Sequence, residues 1–396
     1  MDRLKQQIIR ELYFSKTLSI ADISNTIKKS VPLVTKSIQT LLLSKIITSE
    51  GLGKSTGGRR AIQYSLNIQK LPNILVVAID QYNTTIALVD LSNKELKKAQ
   101  NKPIRLAFET NAKDILLTLI DEYLIDQSLD KILAVAVSMP GFVDSEKGVN
   151  TSYSEQHPLH HIKTTIQNHL NVPTFIENDS TAIAIAEHKF GKAKGLNNVL
   201  VINLNWGVGL GMILEGKLFK GHSGYAGEFS HIPLSDQNKL CSCGKRGCLE
   251  VEASLISALG YASEKIENGQ ISQLTANYGQ LGTITIDQLI AAALNGDQVA
   301  IESFARIGYM LGKGIATLIH IINPEKVIIS GKGAEIGQIL LPQIQASMLE
   351  FSIQRLSKDT IIEISGLHNA QITGTVAIAV SSSNWEVLNK KQKQTN

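Results

Sequence analysis

From about Leu71 onward the chain alternates short apolar runs with helical stretches, and few folds accept that texture. The runs are "NILVVAID", "TTIALVDLS", "KILAVAVSMPGFVD" with its closing Pro-Gly turn, "VPTFIEND", "NNVLVINLN", "GVGLGMILEGKLF" and "EKVIISGKG", and a helical stretch covers roughly residues 111–123. Apolar runs of this length, rich in Val and Ile and bounded by turn residues, are strands of a covered sheet. Strands alternating with helices give an α/β architecture, here expected as two lobes within residues 71–386. With 396 residues the chain is long enough for two or three domains. Its longest apolar runs, Ile132 to Val137 among them, fall far short of the ~20 residues of a membrane helix. The opening "MDRLKQQIIRELYF" lacks the sections of a secretory signal, so the expectation is a cytoplasmic protein with no membrane partner. Residues 387–396, ending in "NKKQKQTN", are expected to be a disordered tail.

Residues 1–70 read differently. From Met1 to Arg60 there are eleven Lys/Arg against four Asp/Glu, a balance of +7 in a chain whose total is +4. Leu4, Ile8 and Leu12, then Ile20, Ile23 and Ile27, then Val34, Ile38 and Leu41 with Leu42, recur at helical spacing and predict three short amphipathic helices. Ser19 is placed to cap the second helix; Ser30 is placed to cap the third, with Pro32 tolerated in its first turn. After the third helix, "IITSEGLGKSTGGRRAIQYSLN" reads as two extended runs around a basic, glycine-rich tip. Three helices and such a wing form a winged helix-turn-helix. Thr35, Lys36 and Gln39 on the third helix can reach base edges and phosphates in the major groove of an operator duplex, and Arg59 and Arg60 on the tip can grip phosphate or enter the minor groove. A three-helix interaction module with solvated lysines, docking to a transporter or kinase, is the bland alternative.

All three cysteines of the chain lie in "CSCGKRGC", ten residues after the histidine of "GEFSH". In a reducing compartment such a cluster binds metal more readily than it forms disulfides. His231, Cys241, Cys243 and Cys248 make up the four-ligand set of a closed, structural Zn²⁺ site spanning loop 231–248. Gly244 and Gly247 would let the backbone turn tightly around the ion, and His222 is the rival fourth ligand.

The stretch "GHSGYAGEFSHIPLSDQNKLCSCGKRGCLEVEAS" resembles the signature of the ROK family of sugar kinases and sugar-responsive repressors, and "FIENDSTAIAIAEHKFG" resembles its second hallmark. "NPEKVIISGKG" and "GTVAIA" are similar to its C-terminal elements, and the N-terminal module to the winged helix of its repressors. The resemblance implies an actin-like, hexokinase-like ROK domain of two α/β lobes. It also implies a sugar or sugar phosphate held in the interlobe cleft by Asn178, Asp179, Glu228, His231 and Glu250, a set of acceptors and donors suited to several hydroxyls. His231 would then serve metal and sugar together.

Asp179 matches the catalytic base of the family's kinases, yet the phosphate cradle departs from their pattern. Where their first strand ends in Asp-x-Gly-Gly-Thr, this chain has "DQYNTT", with Asp80 and Thr84 kept and Tyr82 and Asn83 in place of the glycines. "NWGVGLGM" keeps Gly207, Gly209 and Gly211 but has Val208 for a threonine, and "SGKG" sets Lys332 between Gly331 and Gly333. The expectation is a sugar-responsive transcriptional regulator, a repressor of carbohydrate-use genes that has lost kinase activity and keeps Asp179 as a vestigial base, in a homodimer or dimer of dimers that spaces two winged helices on two half-sites. The alternative is an ATP-dependent hexose kinase, alone or bifunctional.

Overall fold

The computed structural model describes residues 1–53, 60–276, 279 and 282–385. The chain forms two compact units, one of Met1–Asp179 with Thr375–Asn396, the other of Ser180–Gly374.

The first unit opens with helix α1 (Arg3–Ser15), strand β1 (Thr17–Ser19), helices α2 (Ile20–Ile27) and α3 (Val31–Leu43), and strands β2 (Ile47–Leu52) and β3 (Ile62–Leu66). The strands form an antiparallel sheet in the order β1-β3-β2. The helices lie where the apolar spacing puts them, and Ile8, Leu12, Ile23, Val34, Ile38 and Leu41 form their buried faces. Ser19 caps α2 through a capping box with Asp22, the Asp22 N–H donating to Ser19 Oγ at 3.1 Å and the Ser19 N–H to Asp22 Oδ2 at 3.0 Å. Ser30 occupies the equivalent position before α3, but its hydroxyl makes no cap bond. Strand β1 has no apolar run of its own; three residues of the first interhelical break are extended by pairing with β3.

The same unit then builds strands β4 (Asn73–Ile79), β5 (Thr84–Val89) and β6 (Glu95–Lys102), helix α4 (Ala112–Leu124), strands β7 (Ile132–Met139), β8 (Val143–Asp144) and β9 (Val149–Asn150), helix α5 (Ile162–Leu170) and strand β10 (Thr174–Asn178). The main sheet runs β10-β7-β4-β5-β6, with β4, β7 and β10 parallel and β4, β5 and β6 antiparallel. Leu116 and Ile120 of α4 and Ile162 and Ile166 of α5 join Leu75, Val77, Val135 and Val137 in one core.

Helix α6 (Asp179–Phe190) leads into the second unit, with strands β11 (Val199–Leu204), β12 (Val208–Leu214) and β13 (Lys217–Leu218), helices α7 (Glu250–Ala253), α8 (Leu255–Glu267), α9 (Ile286–Leu294) and α10 (Gln298–Ile322), strand β14 (Lys326–Ser330), helices α11 (Gly337–Phe351) and α12 (Gln354–Ser357), strand β15 (Ile361–Ile364) and helix α13 (Ala370–Ser382). Its sheet runs β13-β12-β11-β14-β15, with β11, β14 and β15 parallel and β11, β12 and β13 antiparallel. Meander and parallel extension thus recur in the same order in both units. Phe304, Leu311 and Ile315 of the 25-residue α10 pack with Leu200, Ile202, Leu340 and Ile344 in the core.

The basic module is docked within the first unit. Tyr13 Oη donates to Asn93 Oδ1 at 2.7 Å, Gln6 Nε2 to the Asn384 carbonyl at 2.8 Å and an Arg10 guanidinium nitrogen to the Ser383 carbonyl at 2.8 Å. Trp385 beside them is fully buried. No helix among the described residues is long and apolar enough to cross a membrane.

Candidate functional site

The cysteine loop is a small antiparallel hairpin. Isolated bridges pair Pro233 with Cys248 and Leu240 with Arg246, the Cys241 N–H donates to the Lys245 carbonyl at 2.8 Å, and the Gly247 N–H donates to the Lys239 carbonyl at 3.0 Å. Gly244 and Gly247 take φ of 82° and 74°, a region in which a β-carbon is strained. These turns bring one ligand atom each of His231, Cys241, Cys243 and Cys248 within 4.8 Å of one another. His231 completes the set and His222, exposed, does not join it.

The donor chemistry fits a divalent metal. Cys243 Sγ lies 3.6 Å from Cys248 Sγ and Cys241 Sγ 3.5 Å from His231 Nδ1. Burial and the neighbouring thiols push the Cys248 thiol up to about 12, while the Lys245 backbone N–H lowers that of Cys243. A thiol whose ionisation burial and its neighbours oppose is what a bound cation relieves. The other ring nitrogen of His231 lies 3.7 Å from Glu228 Oε2, so the imidazole stands between the thiol cluster and a candidate sugar carboxylate.

Asn178 ends β10 and Asp179 opens α6, where ligands of α/β folds gather at strand carboxyl ends and helix N-termini. Asn178 Nδ2 donates to the Gly141 carbonyl at 3.1 Å, and Asp179 is buried. In the second unit Glu228 and His231 are neighbours on one short turn. Glu250 opens α7 and its carboxylate lies against the glycine hairpin, accepting from the Val208 N–H at 3.4 Å.

Two backbone donors of the first candidate phosphate turn are engaged from within. Asp80 Oδ1 accepts from both the Tyr82 and the Asn83 N–H at 2.6 Å, closing the turn that leads into β5. The Tyr82 ring lies 4.8 Å from the Arg105 guanidinium. The Thr84 hydroxyl is buried with no hydrogen-bond partner. Lys332 forms an ion pair with Asp287 of α9. The occupation of the turn amides by Asp80 was not visible in the sequence, although an Asp two and three residues before the amides it takes is the signal of an Asx turn.

On α3, Lys36 and Gln39 are exposed, whereas Thr35 is half-buried and its hydroxyl donates back to the Val31 carbonyl at 2.8 Å. Arg60 is exposed ahead of β3; Arg59 and the tail 387–396 lie outside the described residues.

A duplicated mixed sheet, preceded by a basic winged helix and carrying a His-Cys₃ loop, defines the two-lobed actin-like class in its DNA-binding form. The ROK family profile matches residues 76–382, and the chain belongs to that family. It is 26% identical over 391 residues to a xylose repressor of Caldicellulosiruptor bescii, covering 95% of each chain. It is 28% identical over 373 residues to the DNA-binding transcriptional dual regulator NagC of Escherichia coli K12, covering 91% of this chain and 87% of NagC. Among solved structures, a ROK family transcriptional regulator homologous to the E. coli MLC protein superposes with a TM-score of 0.78 at 26% identity, covering 98% of this chain and 99% of that one. A ROK glucokinase from Streptomyces griseus, solved with glucose and AMPPNP, shares the fold at a TM-score of 0.70 and 24% identity, covering 78% of this chain and all of its own. The 78% of this chain spanned by a complete kinase, against 98% for the regulator, leaves room for a further module of about the size of the winged helix.

Proposed function

We propose that this chain is a sugar-responsive, DNA-binding transcriptional repressor that no longer transfers phosphate. The observation that carries the second half is the Asp80 carboxylate on the Tyr82 and Asn83 amides: the backbone donors a phosphoryl group needs are already satisfied by an anion of the chain itself. Val208 repeats the theme, its N–H directed to Glu250. The first half is supported by the basic module ahead of the ROK body and by repressor relatives aligned over nearly the whole chain.

In this reading Asn178, Asp179, Glu228, His231 and Glu250 bind the sugar hydroxyls, and Asp179 is an acceptor for ligand instead of a base. Zn²⁺ held by His231, Cys241, Cys243 and Cys248 would stiffen the loop that carries Glu228 and precedes Glu250, and supply no other chemistry. The chain would act as an even-numbered oligomer on a two-fold operator, with Lys36, Gln39, Arg59 and Arg60 on DNA and the sugar shifting the balance between DNA-competent and incompetent arrangements. Thr35 contributes less, its hydroxyl being held on the helix. The xylose repressor relative, and an N-acetylglucosamine repressor of Escherichia coli O6:H1 that is 28% identical over 373 residues, make pentoses and N-acetylhexoses the first ligands to try.

The test is a thermal-shift screen with free, N-acetylated and phosphorylated sugars, paired with operator binding and an ADP-release assay on each hit. A sugar that stabilises the protein and changes operator affinity without ADP release is the expected result. ADP release at about 1 s⁻¹ or more would establish a kinase.

A further inference from the structure

Helix α3 presents an unusual first turn for a helix in a basic module. Val31 and Leu33 are 50% and 46% exposed, and Pro32 between them is exposed as well. The face that packs inward is Val34, Ser37, Ile38 and Leu41, so no core position explains these three apolar residues. The hydroxyls that could have read bases are turned onto the helix itself, Thr35 Oγ1 donating to the Val31 carbonyl at 2.8 Å and Thr40 Oγ1 to the Lys36 carbonyl at 3.0 Å. Around the turn, Lys28, Lys29 and Lys36 are exposed and complement phosphate.

The N-terminal end of a recognition helix enters the major groove, and the apolar feature displayed there is the C5-methyl group of thymine. We infer that Leu33, with Pro32 beside it, determines specificity by packing on a thymine methyl, so that each operator half-site carries an obligatory T·A pair facing the first turn of α3. This inference rests on the DNA-binding reading. It places Leu33 beside Lys36 and Gln39 as a base reader and assigns it apolar, not hydrogen-bonded, discrimination. Burying one methyl group stabilises the complex about fourfold in affinity, or about 15-fold when both half-sites of a two-fold operator contribute.

The experiment selects binding sites from a random duplex pool with the full-length protein, then replaces each thymine of the selected site by uracil, which deletes only the methyl. The wild type should lose about fourfold per half-site at one thymine position. Leu33→Ala, a change at an exposed helical position that keeps the helix, should bind the thymine and uracil duplexes equally while retaining the salt dependence of the wild type. Thymines contacted through the minor groove by the wing cannot give this signal, because the methyl lies in the other groove. Equal affinity of the wild type for every uracil-substituted duplex, or undiminished discrimination in Leu33→Ala, overturns the inference and leaves DNA binding intact. Failure of the pool to enrich any sequence, with no binding to bulk DNA, overturns the DNA-binding reading and this inference with it.

Discussion

Replacing Trp385 tests whether the DNA-binding module is held to the sugar-binding body by the junction at the end of α13. The indole is fully buried, and the two carbonyls just before it, of Ser383 and Asn384, receive the Arg10 and Gln6 side chains of α1. Trp385→Ala removes a large, fully buried ring, a loss of about 3–5 kcal/mol. For a unit of about 200 residues, each kcal/mol moves the melting temperature by about 2–4 °C, so the transition of the first unit should fall by about 6–20 °C. The junction also carries unsatisfied groups: Arg10 Nε, Ser383 Oγ and Trp385 Nε1 are buried with no hydrogen-bond partner, and burial lowers the affinity of Arg10 for its proton. Each such group opposes docking by about 1–3 kcal/mol, so part of the gain from burying the indole is offset. Trp385→Phe keeps most of the apolar surface and deletes one orphaned donor, so its transition should fall by less than half as much as that of Trp385→Ala. Calorimetry of the two variants provides the comparison, with operator titrations to follow whether the sugar response weakens once the module is freed. A fall under about 2 °C in Trp385→Ala, or an equal fall in both variants, would refute the reasoning.

Three further outcomes are expected. Elemental analysis should find about one zinc per chain, reduced in Cys243→Ser, and removal of the metal by a chelator should abolish sugar binding, because Glu228 and His231 share the loop. Arg59→Ala with Arg60→Ala should weaken specific and bulk DNA binding alike and reduce the slope of log affinity against log salt by about 2, while unchanged affinity counts against the wing. Asp179→Asn should weaken sugar binding by a charge-assisted hydrogen bond, about 1.5–3 kcal/mol, measured by calorimetric titration, and leave operator binding without sugar unaltered.

What the sequence disclosed follows from where hydrophobic pattern is strong. Central strands such as Asn73–Ile79 and Val199–Leu204 are buried along nearly their whole length and stand out as apolar runs. The edge strand Glu95–Lys102, "ELKKAQNK", alternates half-buried and exposed positions and carries three lysines, the composition that guards a sheet edge and hides a strand from pattern reading. Strand Thr17–Ser19 is short and exists through its pairing with Ile62–Leu66, a partner more than forty residues away in sequence. The clustering of His231 with the three cysteines was legible because three thiols in eight positions have few other uses. The Asp80 turn and the Trp385 junction were not, since both depend on which backbone groups a side chain reaches after folding.

On the proposed reading, a sugar site can persist without the phosphoryl transfer of the family's kinases. Binding a polyol needs acceptors at fixed positions, and these would come from short elements with their own supports: Asn178 and Asp179 at a strand-to-helix junction, Glu228 and His231 on a turn tied into the thiol cluster. Phosphoryl transfer needs bare backbone donors as well, held open for a ligand that carries charge. Those donors cost desolvation when no nucleotide fills them, and a carboxylate from the chain removes that cost. Asp80 takes that place on one turn and Glu250, reached by the Val208 N–H at 3.4 Å, on the other; on the proposed reading each contact would lower the affinity for phosphate while Glu250 still offers an oxygen to the sugar. A regulator that has only to sense the sugar keeps the first set under functional demand and lets the second close upon itself.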